Sequence, residues 1–283
     1  MIKNSFAMIL VVLLLAIQLA NAMDKLVVVG GPLTEIVYAI GSGENIIGSD
    51  ITSIYPKQAQ QHIKVGYYRA LSAEGIISLQ PDLLICSDLA GPKSVLQQID
   101  NTGIEVLQLK TGSSIQDLQN NIKSIATILN RKPQGEQLIN RLNEELNKLV
   151  ESQRKLLKDK NTPVSRVMFI VLAGNGTFMV SGKDTPADYI ITLAGGINAV
   201  DSFSGYRRLT SESVATINPD IIITTDQGAE TSGGIEALSE FPGISFTNVA
   251  NANNIYKINS VLMLDTGPRT IQAARELFEV IYQ

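Results

Sequence analysis

Residues 65–85 read VGYYRALSAEGIISLQPDLLI, and residues 205–224 read GYRRLTSESVATINPDIIIT. Each opens on an aromatic–basic cluster, passes through a hydroxyl residue with a glutamate two positions later, and ends in Pro-Asp before an apolar run. A Ser or Thr ahead of a short periodic segment is a helix N-cap signal, and LLI or III after Pro-Asp reads as a buried strand. A shift of 138 residues superposes Tyr68 on Tyr206, Arg69 on Arg207, Leu71 on Leu209, Glu74 on Glu212 and Pro81-Asp82 on Pro219-Asp220. One chain therefore carries the same corner twice, as two lobes of similar plan would.

The flanking sequence agrees. KLVVVG, ENIIGS, DLLICS and EVLQLK read as strands, with LTEIVYAIG, SAEGIISL and KSVLQQID as helices between them. Such alternation predicts an α/β fold whose parallel sheet is buried on both faces. After Arg131, Leu138, Leu142, Leu146 and Leu149 fall at helical spacing among charges. That predicts a helix of about 24 residues and roughly 36 Å. The alternation then restarts: RVMFIVL, TFMVSG and DIIITT as strands, TPADYIITLAGG and SESVATIN as helices, and PRTIQAARELFEVIY as a closing helix. The expected organisation is an N-terminal α/β lobe over residues 23–130, a connecting helix over 131–160 and a C-terminal α/β lobe over 161–283. Ligands in such sheets bind beyond the carboxyl ends of the strands, and clefts between lobes are favoured sites.

Residues 1–22 stand apart. Lys3, the apolar FAMILVVLLLAIQLA and the small-residue ANA have the form of a secretory signal peptide. The alternative, a membrane anchor, needs an apolar run of about 20 residues, and this one is shorter. With no cysteine near the cleavage site, the mature chain is expected to be soluble in the periplasm.

Composition excludes much chemistry. The formal charge is −4, without the basic clustering that nucleic acid requires. Cys86 is the only cysteine, so no intramolecular disulfide forms, and its apolar strand suggests an inert thiol. His62 is the only histidine, which rules out a multi-histidine metal site and leaves hydrolytic triads one candidate base. GGPLTEI lacks the third glycine of a dinucleotide fingerprint and reads as a tight turn.

The two repeated segments, with AGP (residues 90–92), TPADYIITLAGGINAV and GPRTIQAA (residues 267–274), resemble the periplasmic heme-binding proteins of bacterial heme ABC importers, a branch of the class III, helical-backbone solute-binding proteins. The resemblance covers nearly all of the chain after residue 22. Its most specific part is Gly66-Tyr67-x-Arg69-x-Leu71-Ser72-x-Glu74-Gly75; cobalamin and siderophore members share the frame but not this tyrosine–arginine corner. It implies two Rossmann-like lobes with parallel sheets, joined by one long rigid α-helix, with the ligand cleft between them. It also implies a carrier and not an enzyme, with heme as the transported ligand. The implied partners are an inner-membrane ABC permease dimer with its ATPase, and an outer-membrane heme receptor system upstream.

On this resemblance Tyr67 is the axial ligand of the heme iron, with Tyr68 as the alternative. A neutral phenol, with a pKa of about 10, is a poor metal ligand. Ferric iron and a nearby guanidinium both favour the phenolate, a known axial ligand of ferric heme. Arg69 is placed to bond that oxygen; the plain alternative is three residues lining a surface turn. For a second ligand the C-terminal lobe offers no histidine, leaving His62, Tyr206, five-coordinate iron or a second stacked heme open. Lys93, Arg207, Arg208 and Arg269 are candidates for the propionates, though each also reads as a solvated charge. Met179 and Met263 read as core methionines. Glu74 and Glu212 suit helix N-termini, and in related importers such a glutamate pair docks onto permease arginines. A cobalamin or ferric-siderophore carrier is the competing reading; a periplasmic enzyme would lack a nucleophile–base pair.

Overall fold

A computed structural model of the chain describes residues 23–159, 163–174, 177–252 and 254–282; the leader expected over residues 1–22 lies outside them. The chain divides into two compact units. The first holds the described residues up to Leu109 together with Ser124–Lys132, and the second holds Lys110–Lys123 and the described residues from Pro133 on.

In the first unit, β1 (Leu26–Val29), β2 (Ile46–Ser49), β3 (Ile63–Lys64), β6 (Leu83–Ser87) and β7 (Glu105–Leu109) form a sheet in the order β3-β2-β1-β6-β7. Every pairing in it is parallel. LVVV of β1 and LLIC of β6 are fully buried without alternation, as strands covered on both faces must be. Taking each such side chain out of water stabilises the fold by about 1.5–3 kcal/mol. The helix Lys93–Asp100 buries Leu96 and Ile99 in the cluster formed by Val27, Val29, Leu84 and Cys86. Burial there pushes the Cys86 thiol up to about 12, which leaves it inert. A separate hairpin, β4 (Gly66–Tyr67) and β5 (Ala70–Leu71), stands between β3 and β6 in the chain.

In the second unit, β8 (Arg166–Gly174), β9 (Thr177–Ser181), β11 (Tyr206–Thr210), β12 (Ile221–Thr225) and β13 (Ile255–Ile258) are ordered β11-β9-β8-β12-β13, with β10 (Ile197–Asn198) also on β8. β8 is parallel to β10 and β12, and β12 to β13, but β9 is antiparallel to both β8 and β11. The sheet is thus mixed where the sequence suggests parallel strands. Two residues separate β8 from β9, and so short a connection joins only antiparallel strands.

The repeated Pro-Asp has a structural purpose. Asp82 donates its N–H to the Lys25 carbonyl (2.8 Å), and its Oδ2 accepts from the N–H groups of Lys25 (2.9 Å) and Asp24 (3.1 Å). Asp220 repeats this with Arg166, donating to its carbonyl (2.9 Å) and accepting from its N–H (2.7 Å). Each carboxylate satisfies backbone donors at the edge of the ladder, clamping the entry of β6 to β1 and of β12 to β8.

The helix Lys132–Asp159 runs 28 residues, about 42 Å, and is longer than its sequence pattern suggests. Leu138, Leu142 and Leu149 are buried along it and Leu146 is half-buried. Gln119 of the helix Ile115–Ile128 bonds Asn143 at 2.8 Å, and the Ile115 N–H donates to the Tyr189 hydroxyl at 3.1 Å. No described helix is long and apolar enough to cross a membrane.

Candidate ligand-binding corner

The hairpin β4–β5 closes on two residues. Tyr67 pairs with Ala70, leaving Tyr68 and Arg69 as the turn, and Gly66 enters it at φ 106°, a conformation that favours glycine. Backbone bonds fasten the hairpin to its neighbours: Ile51 N–H to Gly66 O (3.0 Å), Gly91 N–H to Tyr68 O (2.8 Å) and Leu71 N–H to Gly91 O (2.9 Å). Ile51 and Gly91 lie in the loops that follow β2 and β6. The corner therefore sits at the carboxyl end of the sheet, where open α/β sheets bind ligands.

The turn parts the two tyrosines. Tyr68 packs, half-buried, against the cluster of Val27, Leu71 and Leu84, whereas Tyr67 is 41% exposed. Their ring centroids are 4.5 Å apart at a tilt of 57°. Arg69 Nε donates to Tyr68 Oη at 3.0 Å, and its Cζ lies 5.3 Å from the Tyr68 ring centroid. Arg69 is thus bonded to Tyr68, its neighbour in the turn, and lies close enough to Tyr67 for that phenol to act on its charge. That bond, followed by the charges of the Tyr68 and Tyr67 phenols, holds the guanidinium pKa above its usual value against partial burial. The arrangement anchors one phenol and a cation next to a second, partly exposed tyrosine ring.

Beyond the hairpin, Ser72 Oγ accepts from the Gly75 N–H (3.2 Å) and caps the helix Ala73–Ile77, whose second residue is Glu74. In the second unit β11 leads to Thr210, whose Oγ1 accepts from the Ser213 N–H (3.3 Å) and caps Ser211–Ile217, whose second residue is Glu212. The two glutamates are exposed and occupy the same helical position, where the helix dipole favours a carboxylate.

The other candidates are distributed among different elements. Lys93 is exposed at the start of its helix, directly after the loop that holds the hairpin. Tyr206, Arg207 and Arg208 are exposed on the edge strand β11, where Arg207 Cζ stands 4.9 Å over the Phe203 ring. Arg269, half-buried, precedes the helix Thr270–Ile281. Met263 is fully buried and Met179 partly so. His62 is not a loose surface group: its Nε2 lies 2.6 Å from Tyr38 Oη, and burial, then Lys64, holds its pKa below the usual value. Among the described residues no group of three or more His, Cys, Asp or Glu could hold a metal ion.

Residues 26–262 match the family described as periplasmic binding protein. The chain belongs to that family. This periplasmic binding protein is 30% identical to the periplasmic heme-binding protein BhuT, solved in complex with two hemes, with a TM-score of 0.85 over 91% of this chain and 97% of that one. It is 28% identical over 251 residues to the ABC transporter substrate-binding lipoprotein YvrC of Bacillus subtilis, covering 88% of this chain and 77% of the relative. It is also 26% identical over 268 residues to the vitamin B12-binding protein of Vibrio parahaemolyticus, covering 93% and 92%.

Sequence reasoning misses one positioning residue of this periplasmic binding protein. Asp50, fully buried, accepts from the N–H groups of Gly30 (2.9 Å) and Thr52 (3.0 Å), from Ser53 Oγ (2.6 Å) and from Thr52 Oγ1. It fixes the loop that carries Ile51 to the hairpin. The signal is present in SDITS, an aspartate followed by Thr-Ser, the pattern of a side chain closing its own turn.

Proposed function

We propose that the chain is a carrier that captures heme in the periplasm, with the Tyr67 phenolate as axial ligand to ferric iron, and delivers it to an inner-membrane ABC permease. The observation that carries this reading is an exposed phenol on a backbone-fastened turn, beside a guanidinium already anchored to a second phenol. Heme presents a ferric ion and two carboxylates. The corner offers an oxygen donor, Arg69 to favour its anionic form, and Lys93, at the start of the helix after an adjoining loop, for a propionate. Arg207 and Arg269 are further cationic candidates for heme carboxylates, and Tyr206 a further phenol candidate. The heme-binding structure of BhuT supports the ligand, and the substrate-binding lipoprotein YvrC supports the transporter partnership. Export through the leader over residues 1–22 belongs to the same reading, as does docking on the permease through Glu74 and Glu212.

The vitamin B12-binding relative favours a second reading, cobalamin as the ligand. Titrating hemin and cobalamin separately into the purified chain distinguishes the two. Saturable growth of a shifted Soret band with hemin, and no binding of cobalamin, is expected; saturable binding of cobalamin alone would replace heme by cobalamin.

A further inference from the structure

Large apolar side chains stand in water on both flanks of the Tyr67 corner. Ile51 is 54% exposed and Leu89 44% exposed. Singly such residues are ordinary. Here the backbone fixes both against the hairpin. Ile51 donates its N–H to the carbonyl of Gly66, the residue before Tyr67. Leu89 belongs to the loop whose Gly91 N–H is bonded to the carbonyl of Tyr68, the residue after Tyr67. That loop is pinned in turn by Asp88 N–H to Leu109 O (2.8 Å) and Ala90 N–H to Ser87 O (3.0 Å). The loop carrying Ile51 is pinned by the buried Asp50 carboxylate. Two exposed aliphatic side chains and an exposed aromatic ring are thus held on one rigid framework, with Arg69 and Lys93 beside it.

Resting on the reading of this corner as a heme site, we propose that Ile51 and Leu89 grip the apolar face of the porphyrin, so that the corner holds the macrocycle independently of its iron. The occupant is a flat tetrapyrrole bearing carboxylates. Its ring covers the aliphatic side chains and the Tyr67 ring, and its acids meet the neighbouring cations. Iron supplies one additional bond, through Tyr67, to a ring already seated by burial. Iron-free protoporphyrin IX therefore binds at the same place, more weakly than hemin.

The test titrates hemin and iron-free protoporphyrin IX into wild type, the double variant Ile51→Ser/Leu89→Ser and Tyr67→Phe, following absorbance and fluorescence quenching. Both replaced side chains are exposed, and a thermal melt checks that the fold survives. The double variant is expected to weaken both porphyrins, by about tenfold per side chain, while its saturated hemin complex keeps the wild-type spectrum. Tyr67→Phe is expected to weaken hemin and spare iron-free protoporphyrin IX. Hemin binding by wild type together with unchanged affinities in the double variant would overturn this inference alone. A wild-type chain that takes up neither porphyrin would overturn the heme reading as well.

Discussion

Arg69 Nε bonds Tyr68 Oη at 3.0 Å, while the neighbouring Tyr67 carries the more exposed ring. The cation is thereby held beside both phenols by a bond to the one that packs into the unit. A fixed positive charge favours phenolate over phenol. Arg69→Ala is therefore expected to keep hemin binding at high pH and to lose phenolate ligation first on the acid side. The spectral transition of the complex should move up by about one pH unit. Absorption spectra of both complexes between pH 5 and 10 check this, and superimposable transitions would remove Arg69 from the ligation.

The partly buried His62 makes stability depend on pH. Burial, and then Lys64, lowers the His62 pKa in the folded chain, so below about 6.5 the unfolded chain takes up a proton that the folded one resists. The contribution is present above that pH and declines as pH falls through the window between the two pKa values. His62→Gln should flatten this part of the profile. Urea midpoints at pH 7.5 and 5 measure it; equal losses in wild type and variant would show that His62 contributes nothing.

Asp82 and Asp220 are expected to matter for the fold and not for the ligand. Replacing either with alanine leaves N–H groups at Lys25 or Arg166 without their carboxylate, at a cost of about 1 kcal/mol each. Denaturant midpoints should fall while hemin affinity holds. A ligand-binding defect at unchanged stability would contradict a purely structural role.

Glu74 and Glu212 share the second position of equivalent capped helices, where the dipole tolerates an acid but does not require one. Rim charges of this kind steer docking and fix its register more than they add affinity. The double variant Glu74→Ala/Glu212→Ala should titrate hemin like wild type yet support less permease-coupled uptake than either single change. Normal uptake by the double variant would leave helix stabilisation as their purpose.

Much of the architecture is legible because buried parallel strands declare themselves: LVVV, LLIC and the III of β12 have no polar position to disguise them. The long helix is legible from its leucine spacing, and the paired capped helices and Pro-Asp clamps from the 138-residue echo, although Tyr68-Arg69 forms a hairpin turn and Tyr206-Arg207 an edge strand. Other features escape. The direction of β9 depends on the two-residue link before it, which apolar runs do not encode. β13 is an edge strand, IYKI, whose half-exposed Tyr256 and exposed Lys257 mask its pattern. The Arg69–Tyr68 bond follows from the tight turn, where alternation of side chains fails. Ile51 and Leu89 escape for a related reason, since isolated aliphatic residues in loops carry no period and only the folded backbone brings them to Tyr67.

The central claim is that Tyr67 supplies the oxygen that binds ferric heme, and the absorption spectrum of the hemin complex tests it most directly. Tyr67→Phe removes one oxygen from an exposed ring, so the fold should survive. Titrated with hemin beside wild type and Tyr68→Phe, it is expected to lose the phenolate-to-iron charge-transfer band and to bind far more weakly, whereas Tyr68→Phe keeps the band. A Tyr67→Phe complex with the wild-type band and affinity, above all if Tyr68→Phe loses both, would contradict the account and move the ligand to Tyr68.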